Sequence, residues 1–139
     1  MVVAKYESSD GAVYACGYHV IWCPKYRKPV LTGAVETRLK ELIAERAELR
    51  GWDLAALEAM PDHVHVFLRV HPKDSPAFVT NQLKGYTSRV LRTEFRYLRM
   101  MLPTLWSRSY FVTTVGSVSE EAVQRYIAEQ KTRASKKAA

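Results

Sequence analysis

Met60-Pro61-Asp62-His63-Val64-His65-Val66-Phe67-Leu68 is the stretch from which the fold can be read. Pro61-Asp62 is turn-forming, since proline pre-sets the backbone of a turn and aspartate bonds to its own main chain. The residues after it alternate. Side chains on a strand project to opposite faces in turn, so Val64, Val66, Leu68 and Val70 share one face and His63, His65, Phe67 and Arg69 the other. The valine face asks for a core beneath it. The other face sets two imidazoles two residues apart, ~6.5–7 Å along the strand. At that spacing the pair can converge on one ion. A half-buried strand with two histidines on its outer face fits the same residues, and the stretch alone leaves both readings standing.

Working outward, Trp52 to Met60 reads as a second strand, which makes an antiparallel hairpin with the histidine strand. Upstream of it, Val35, Leu39, Leu42, Ile43 and Leu49 recur at helical spacing over Ala34 to Arg50, with Gly51 as the stop. Val13 to Cys23 is rich in β-branched and aromatic residues on both faces, which predicts a central strand ended by Pro24. Residues 1–12, with Ser8-Ser9-Asp10-Gly11, read as a loose lead-in. Downstream, His71-Pro72 ends the histidine strand, and His71 falls on the valine face, outside the site. Ser75-Pro76 starts a helix to about Arg96, with Val79, Leu83, Tyr86 and Val90 as its buried stripe. Met100 to Ser107 is a connection, and Ser109 to Val115 a strand that Gly116 breaks. Ser117 and Glu120 form a capping box, which starts a last helix near Val118 running to about Arg133.

The order is strand, helix, strand, strand, helix, strand and an extra helix. It predicts an α+β, ferredoxin-like (split βαβ) fold: an antiparallel sheet of four strands with two helices on one face. The first and third strands are then central. His63 and His65 look out from the open face, where the extra helix could cover them. A chain of 139 residues is one domain's worth, 1–139, with a basic tail at 134–139.

Charge narrows the partner. Lys plus Arg number 21 against 14 Asp plus Glu, a net charge of +7 that favours a polyanion such as nucleic acid. In Lys25-Tyr26-Arg27-Lys28-Pro29, cations surround an aromatic ring, which suits a phosphate backbone and a base. In the second helix Lys84, Ser88 and Arg92 are four apart with Arg89 beside them; Lys84 to Arg99 holds five cations and one acid, Glu94. A one-signed stripe points to phosphate contacts, although a solvated basic face is the plain alternative for both segments. Cys16 and Cys23 are seven apart in a strand-like run and so point to opposite faces, which predicts a reduced, cytoplasmic setting. No signal-peptide pattern, membrane-length apolar run or P-loop pattern is present.

The last helix puts Tyr126 and Gln130 four apart on one face, ~5–6 Å between Cβ atoms. The tyrosine could be a nucleophile and the glutamine an oxygen ligand; a core tyrosine beside a surface glutamine is the commoner meaning of such a pair. Together with His63-Val64-His65, however, Tyr126-Ile127-Ala128-Glu129-Gln130 resembles the single-tyrosine HUH transposases of small insertion sequences that move as single-stranded DNA. HUH denotes histidine, hydrophobic residue, histidine. Tyr18-His19-Val20-Ile21-Trp22-Cys23-Pro24-Lys25-Tyr26-Arg27, Met60-Pro61-Asp62-His63-Val64-His65, Leu83-Lys84-Gly85 with Ser88-Arg89, and Leu105-Trp106-Ser107-Arg108-Ser109-Tyr110-Phe111 extend the resemblance from about Tyr14 to Arg133.

The resemblance implies a single-strand DNA nuclease and strand transferase. His63, His65 and Gln130 would bind a divalent cation, Mg²⁺ or Mn²⁺, and Tyr126 would form a 5′-phosphotyrosine link. It further implies a prokaryotic homodimer with composite active sites in trans, recognising hairpins at the ends of the element. The DNA contacts expected from charge are Lys25, Arg27, Lys28, Lys84, Ser88, Arg89 and Arg92. A replication initiator or relaxase of the same HUH chemistry is the nearest alternative. A non-catalytic ferredoxin-like module that binds single-stranded nucleic acid is another, but its open sheet face should carry aromatics where His63 and His65 stand.

Overall fold

In the computed structural model, which describes residues 7–9, 12–14, 17–115 and 128, the chain begins with β1 (Glu7–Ser9) and β2 (Ala12–Tyr14). It continues through β3 (Gly17–Trp22), a 3-10 turn (Lys25–Arg27), α1 (Gly33–Arg50), β4 (Asp53–Met60) and β5 (His63–Arg69). Then come α2 (Pro76–Glu94), α3 (Arg96–Met101) and β6 (Phe111–Val115). The main sheet has the order β4-β5-β3-β6 with every neighbouring pair antiparallel. This is the split βαβ arrangement, and the histidine strand β5 is central in it, as the element order predicts.

The two ends of the chain need separate words. Where a loose lead-in is expected, β1 and β2 pair antiparallel in a small sheet of their own. The single strand expected over Val13 to Cys23 is divided between β2 and β3. Gly116, the capping box, Tyr126, Gln130 and the expected final helix lie outside the described residues, apart from Ala128, which is helical.

Local chemistry sets the helix ends. Ser75 Oγ accepts from the Phe78 N–H at 3.1 Å, so it is the N-cap of α2, with Pro76 in the first turn. Gly51 ends α1 in the left-handed region at φ 75°, where its N–H reaches Ala47 and Glu48 carbonyls. Leu49, counted with the apolar stripe, is 72% exposed; the buried face is Val35, Leu39, Leu42, Ile43 and Ala47. The stripe of α2 also runs differently, through Val79, Leu83, Thr87 and Leu91, with Tyr86 and Val90 only half-buried. Thr87 tolerates the core because its hydroxyl donates to Leu83 O at 2.7 Å and accepts from Trp106 Nε1 at 3.0 Å. Helix α2 ends at Glu94 because Phe95 (φ −116°, ψ 86°) leaves the helical backbone. The break lets α3 turn Leu98 and Leu102 into the core.

The valine face of β5 lies under the helices: Val64, Val66, Leu68 and Val70 are buried with Val20, Trp22, Leu39, Ile43 and Leu83. An Arg38 guanidinium bridges Glu94 of α2 at 2.8 and 3.0 Å and ties α1 to it. Strands β3 and β5 approach closely at Gly17, where a Cβ would stand 2.6 Å from Leu68 O and 2.9 Å from the Phe67 ring. Among the described residues no helix is long and apolar enough to cross a membrane.

Candidate active site

The site begins at the turn between β4 and β5. Its Pro61 carbonyl accepts from the Leu31 N–H at 3.0 Å, which holds the hairpin tip against the segment before α1. Asp62, next in the turn, contacts His63 Nδ1 through Oδ1 at 2.7 Å, while its Oδ2 accepts from an Arg27 Nη at 3.1 Å. Burial works against ionisation of Asp62, but hydrogen bonding to His63 and the charges of His63 and Arg27 hold its carboxyl below the ordinary value. An ionised carboxylate only accepts, so the proton of the bond belongs to His63 Nδ1. The Nε2 of His63 is buried and has no hydrogen-bond partner among the described residues.

Parity on β5 brings His65 onto the same face. The two rings converge to 4.7 Å between centroids, at 80° to each other. A third histidine joins them. His19 on β3 pairs across from Phe67, so it shares this face, and its ring stacks on His65 at 5.7 Å and 10°. The face is not open here: His63, His65 and His19 are only 6%, 2% and 1% exposed. Burial pushes the His19 imidazole down to about 4, so it is neutral at pH 7. Beside the rings lies a cavity of about 290 Å³, with Glu58, His65, His19 and Phe67 in its wall.

The two imidazoles of β5 supply part of a donor set for a divalent ion. An imidazole ligand must be neutral with one nitrogen lone pair directed at the ion, and its other N–H is normally held by a carboxylate or carbonyl. His63 has the second feature: its Nδ1 lies 2.7 Å from Asp62 Oδ1, and its buried Nε2 has no hydrogen-bond partner among the described residues. No group of three or more His, Cys, Asp and Glu suited to a metal occurs among the described residues, so two imidazoles are an incomplete cage. Gln130, expected as the third ligand, and Tyr126, expected as the nucleophile, lie outside the described residues.

The basic residues divide into three settings. In the 3-10 turn, Tyr26 (φ 58°) and Arg27 (φ 53°) are both left-handed. Tyr26 is 68% exposed, with Lys25 Nζ 5.3 Å from its ring centre, and Lys28 is exposed. Arg27 turns back to Asp62 and so stands directly behind the histidine pair. On α2 the expected stripe splits. Lys84 Nζ donates to the carbonyls of Ser107, Arg108 and Ser109 at 2.7, 3.3 and 3.3 Å, and Arg92 donates to Pro103 O at 3.0 Å. Burial lowers the Lys84 ammonium, opposed by the charge of Cys23. Arg89 is exposed over the Tyr86 ring at 5.6 Å, and Ser88 is half-buried. The loop that Lys84 and Arg92 hold is joined to the basic turn: Pro24 bridges Trp106, and Lys25 N–H reaches Leu105 O at 2.8 Å. The turn, this loop and His63 therefore gather at one end of the sheet.

His19 is the residue that sequence reasoning missed. Its signal was available only once β3 and β5 were paired, since parity then places it with His65.

Similarity to known proteins agrees with this fold. The family described as "Transposase IS200 like" matches residues 12–130. The ISDra2 transposase TnpA of Deinococcus radiodurans is 36% identical over 126 residues, covering 89% of this chain and 90% of that protein. The transposase for insertion sequence element IS200 of Salmonella typhimurium is 30% identical over 117 residues, covering 83% and 76%. Among solved structures, a Deinococcus radiodurans protein superposes with a TM-score of 0.73 at 36% identity over 89% of this chain and 97% of that one. A REP-associated tyrosine transposase bound to a REP hairpin shares the fold, with a TM-score of 0.59 at 12% identity over 86% and 67%.

Proposed function

From the premise that the chain belongs to the IS200-like transposase family, we propose that it cuts and rejoins single-stranded DNA through a tyrosine, so that an insertion sequence moves as a single strand. The observation that carries this reading is the histidine pair: two rings 4.7 Å apart, one with its Nδ1 on Asp62 and its Nε2 buried without a partner among the described residues.

Tyr126 is the nucleophile. Its phenol, with an ordinary pKa of ~10, must lose its proton as the oxygen attacks the scissile phosphorus. The new O–P bond forms as the bond to the 3′ oxygen breaks, giving a 5′-phosphotyrosine and a free 3′-OH. Rejoining reverses the exchange: a 3′-OH attacks the phosphotyrosine and the phenol leaves. The phosphodiester energy is kept in the link, so no ATP is required. His63 and His65, with Gln130 as third ligand, would hold a divalent cation, Mg²⁺ or Mn²⁺, which would supply charge to polarise the phosphate oxygens and orient the group for in-line attack.

The exposed cations Lys28 and Arg89, with Lys25 over the exposed Tyr26 ring, suit the phosphates and a base of a single strand. The hairpin held by the REP-associated relative supports hairpin recognition here, at the ends of the element. The working unit is a homodimer in which the histidine strand of one subunit serves the tyrosine of the other, acting in a prokaryotic cytoplasm.

Tyr126→Phe removes only the hydroxyl. It should leave single-strand binding within about 3-fold of wild type and abolish the covalent protein–DNA adduct seen on a denaturing gel. An adduct that persists in Tyr126→Phe would assign the nucleophile elsewhere.

A further inference from the structure

Arg27, Asp62 and His63 form a continuous chain that direct phosphate binding by Arg27 does not explain. We propose that Asp62 and Arg27 are positioning residues for the metal ligand His63: Asp62 fixes its tautomer and ring, and Arg27 fixes Asp62 from the basic turn. The inference rests on the metal-site reading above and gives Arg27 a different task from Lys25 and Lys28.

The geometry supports each link. Asp62 uses separate oxygens, Oδ1 toward His63 Nδ1 at 2.7 Å and Oδ2 toward Arg27 at 3.1 Å, so neither contact displaces the other. The Asp62 backbone is itself anchored, because the preceding Pro61 carbonyl is tied to the Leu31 N–H. Arg27 reaches back only because the turn is tightly wound, with Arg27 N–H on Pro24 O at 2.9 Å and two successive non-glycine residues at φ 58° and 53°. A left-handed residue costs on the order of 1–2 kcal/mol, and such strain persists where the surroundings over-determine it. Here the outcome of the strained turn is a guanidinium against Asp62. The carboxylate then faces a half-buried cation on one side and an imidazole N–H on the other, which leaves His63 one nitrogen for coordination. A carboxylate behind a coordinating histidine typically changes metal affinity 10–100-fold.

The test is Mn²⁺ affinity of the full chain without DNA, read by the loss of the free-ion EPR signal on titration, with folding checked by circular dichroism. His63→Ala should abolish tight binding. Asp62→Ala should weaken it about 10–100-fold, and Asp62→Asn should recover part of that loss, since an amide oxygen still accepts from Nδ1–H. Arg27→Ala should weaken it about 3–10-fold in the wild-type background and have no further effect beside Asp62→Ala, as expected for one connected unit. If Asp62→Ala does not fold, the same comparison is made in Asp62→Asn, where the Arg27→Ala effect should shrink toward none. Wild-type affinity in Asp62→Ala beside a defective His63→Ala would overturn the relay and leave the metal site standing. An Arg27→Ala loss that simply adds to the Asp62→Ala loss would overturn it as well. Wild-type affinity in His63→Ala would instead overturn the reading of the site itself, and the relay with it.

Discussion

At the scale of single residues, parity along β5 and the ring chemistry of three histidines decide what the site can do. His63 and His65 were legible from sequence because strand parity is a local property of five or six residues. His19 was not, because its place depends on which residue of β3 lies opposite Phe67, a register between strands more than 40 positions apart in sequence. Its burial carries a pH signature. The folded-state value, about 4, lies below the ordinary 6.5. Below pH 6.5 the unfolded chain takes up a proton at His19 that the folded chain refuses until about pH 4. Stability from this group is therefore fully present above pH 6.5 and falls as the pH drops from 6.5 toward 4, by a few kcal/mol at most, on the order of 3. Asp62, whose carboxyl is held low, adds loss in the same direction further down, in the carboxylate range. Urea midpoints measured in EDTA from pH 7 to pH 4 should thus fall less steeply in His19→Phe than in wild type. Equal slopes would mean that His19 is protonated in the folded protein, contrary to its buried setting.

At the scale of elements, the cations of α2 are the instructive case. One-signed charge at four-residue spacing reads from sequence as a phosphate stripe, but spacing cannot reveal what crosses over to meet it. Lys84 and Arg92 meet the carbonyls of the 103–109 loop, which no local pattern foretells. The end of α2 was illegible for a related reason. Leu91, Phe95, Leu98 and Leu102 continue the helical spacing, and the break comes at the non-helical backbone of Phe95, which that spacing does not mark. The start of α2 and the end of α1 were legible because caps are local: Ser75 and Gly51 act where their chemistry says they should. These placements separate two substitutions. Lys84→Ala removes three loop contacts and should lower stability by about 1 kcal/mol while speeding amide exchange at 107–109. Arg89→Ala, on an exposed side chain, should leave stability within about 0.5 kcal/mol and reduce the slope of log affinity against log salt by about one. The converse result, an unchanged melting temperature and a slope reduced by about one in Lys84→Ala, would return Lys84 to the phosphate contacts.

At the scale of the whole molecule, the order strand, helix, strand, strand, helix, strand sufficed to place β3 and β5 at the centre of the sheet, because few topologies accept that order without crossed connections. A strand pattern says nothing of what lies above it: the histidine face reads from sequence as an open sheet face that an extra helix could cover, that helix lies outside the described residues, and all three imidazoles are buried. That face is where the proposed division of labour between subunits is to be tested. Take a His63→Ala chain and a Tyr126→Phe chain, each inactive alone, and mix them under conditions that exchange subunits. With sites built in trans, one site of the heterodimer joins the intact histidines of the Tyr126→Phe chain to the intact tyrosine of the His63→Ala chain. That site should cleave a single strand, at up to about half the rate per dimer, since a linked pair of sites retains one working copy. The DNA should be attached to the His63→Ala chain, which a size tag on one chain identifies on a denaturing gel. With sites built in cis, each chain carries its own defect, and no adduct forms although heterodimers are present by native mass spectrometry. Absence of an adduct in demonstrated heterodimers would therefore overturn the trans arrangement while leaving His63, His65 and Tyr126 in their roles.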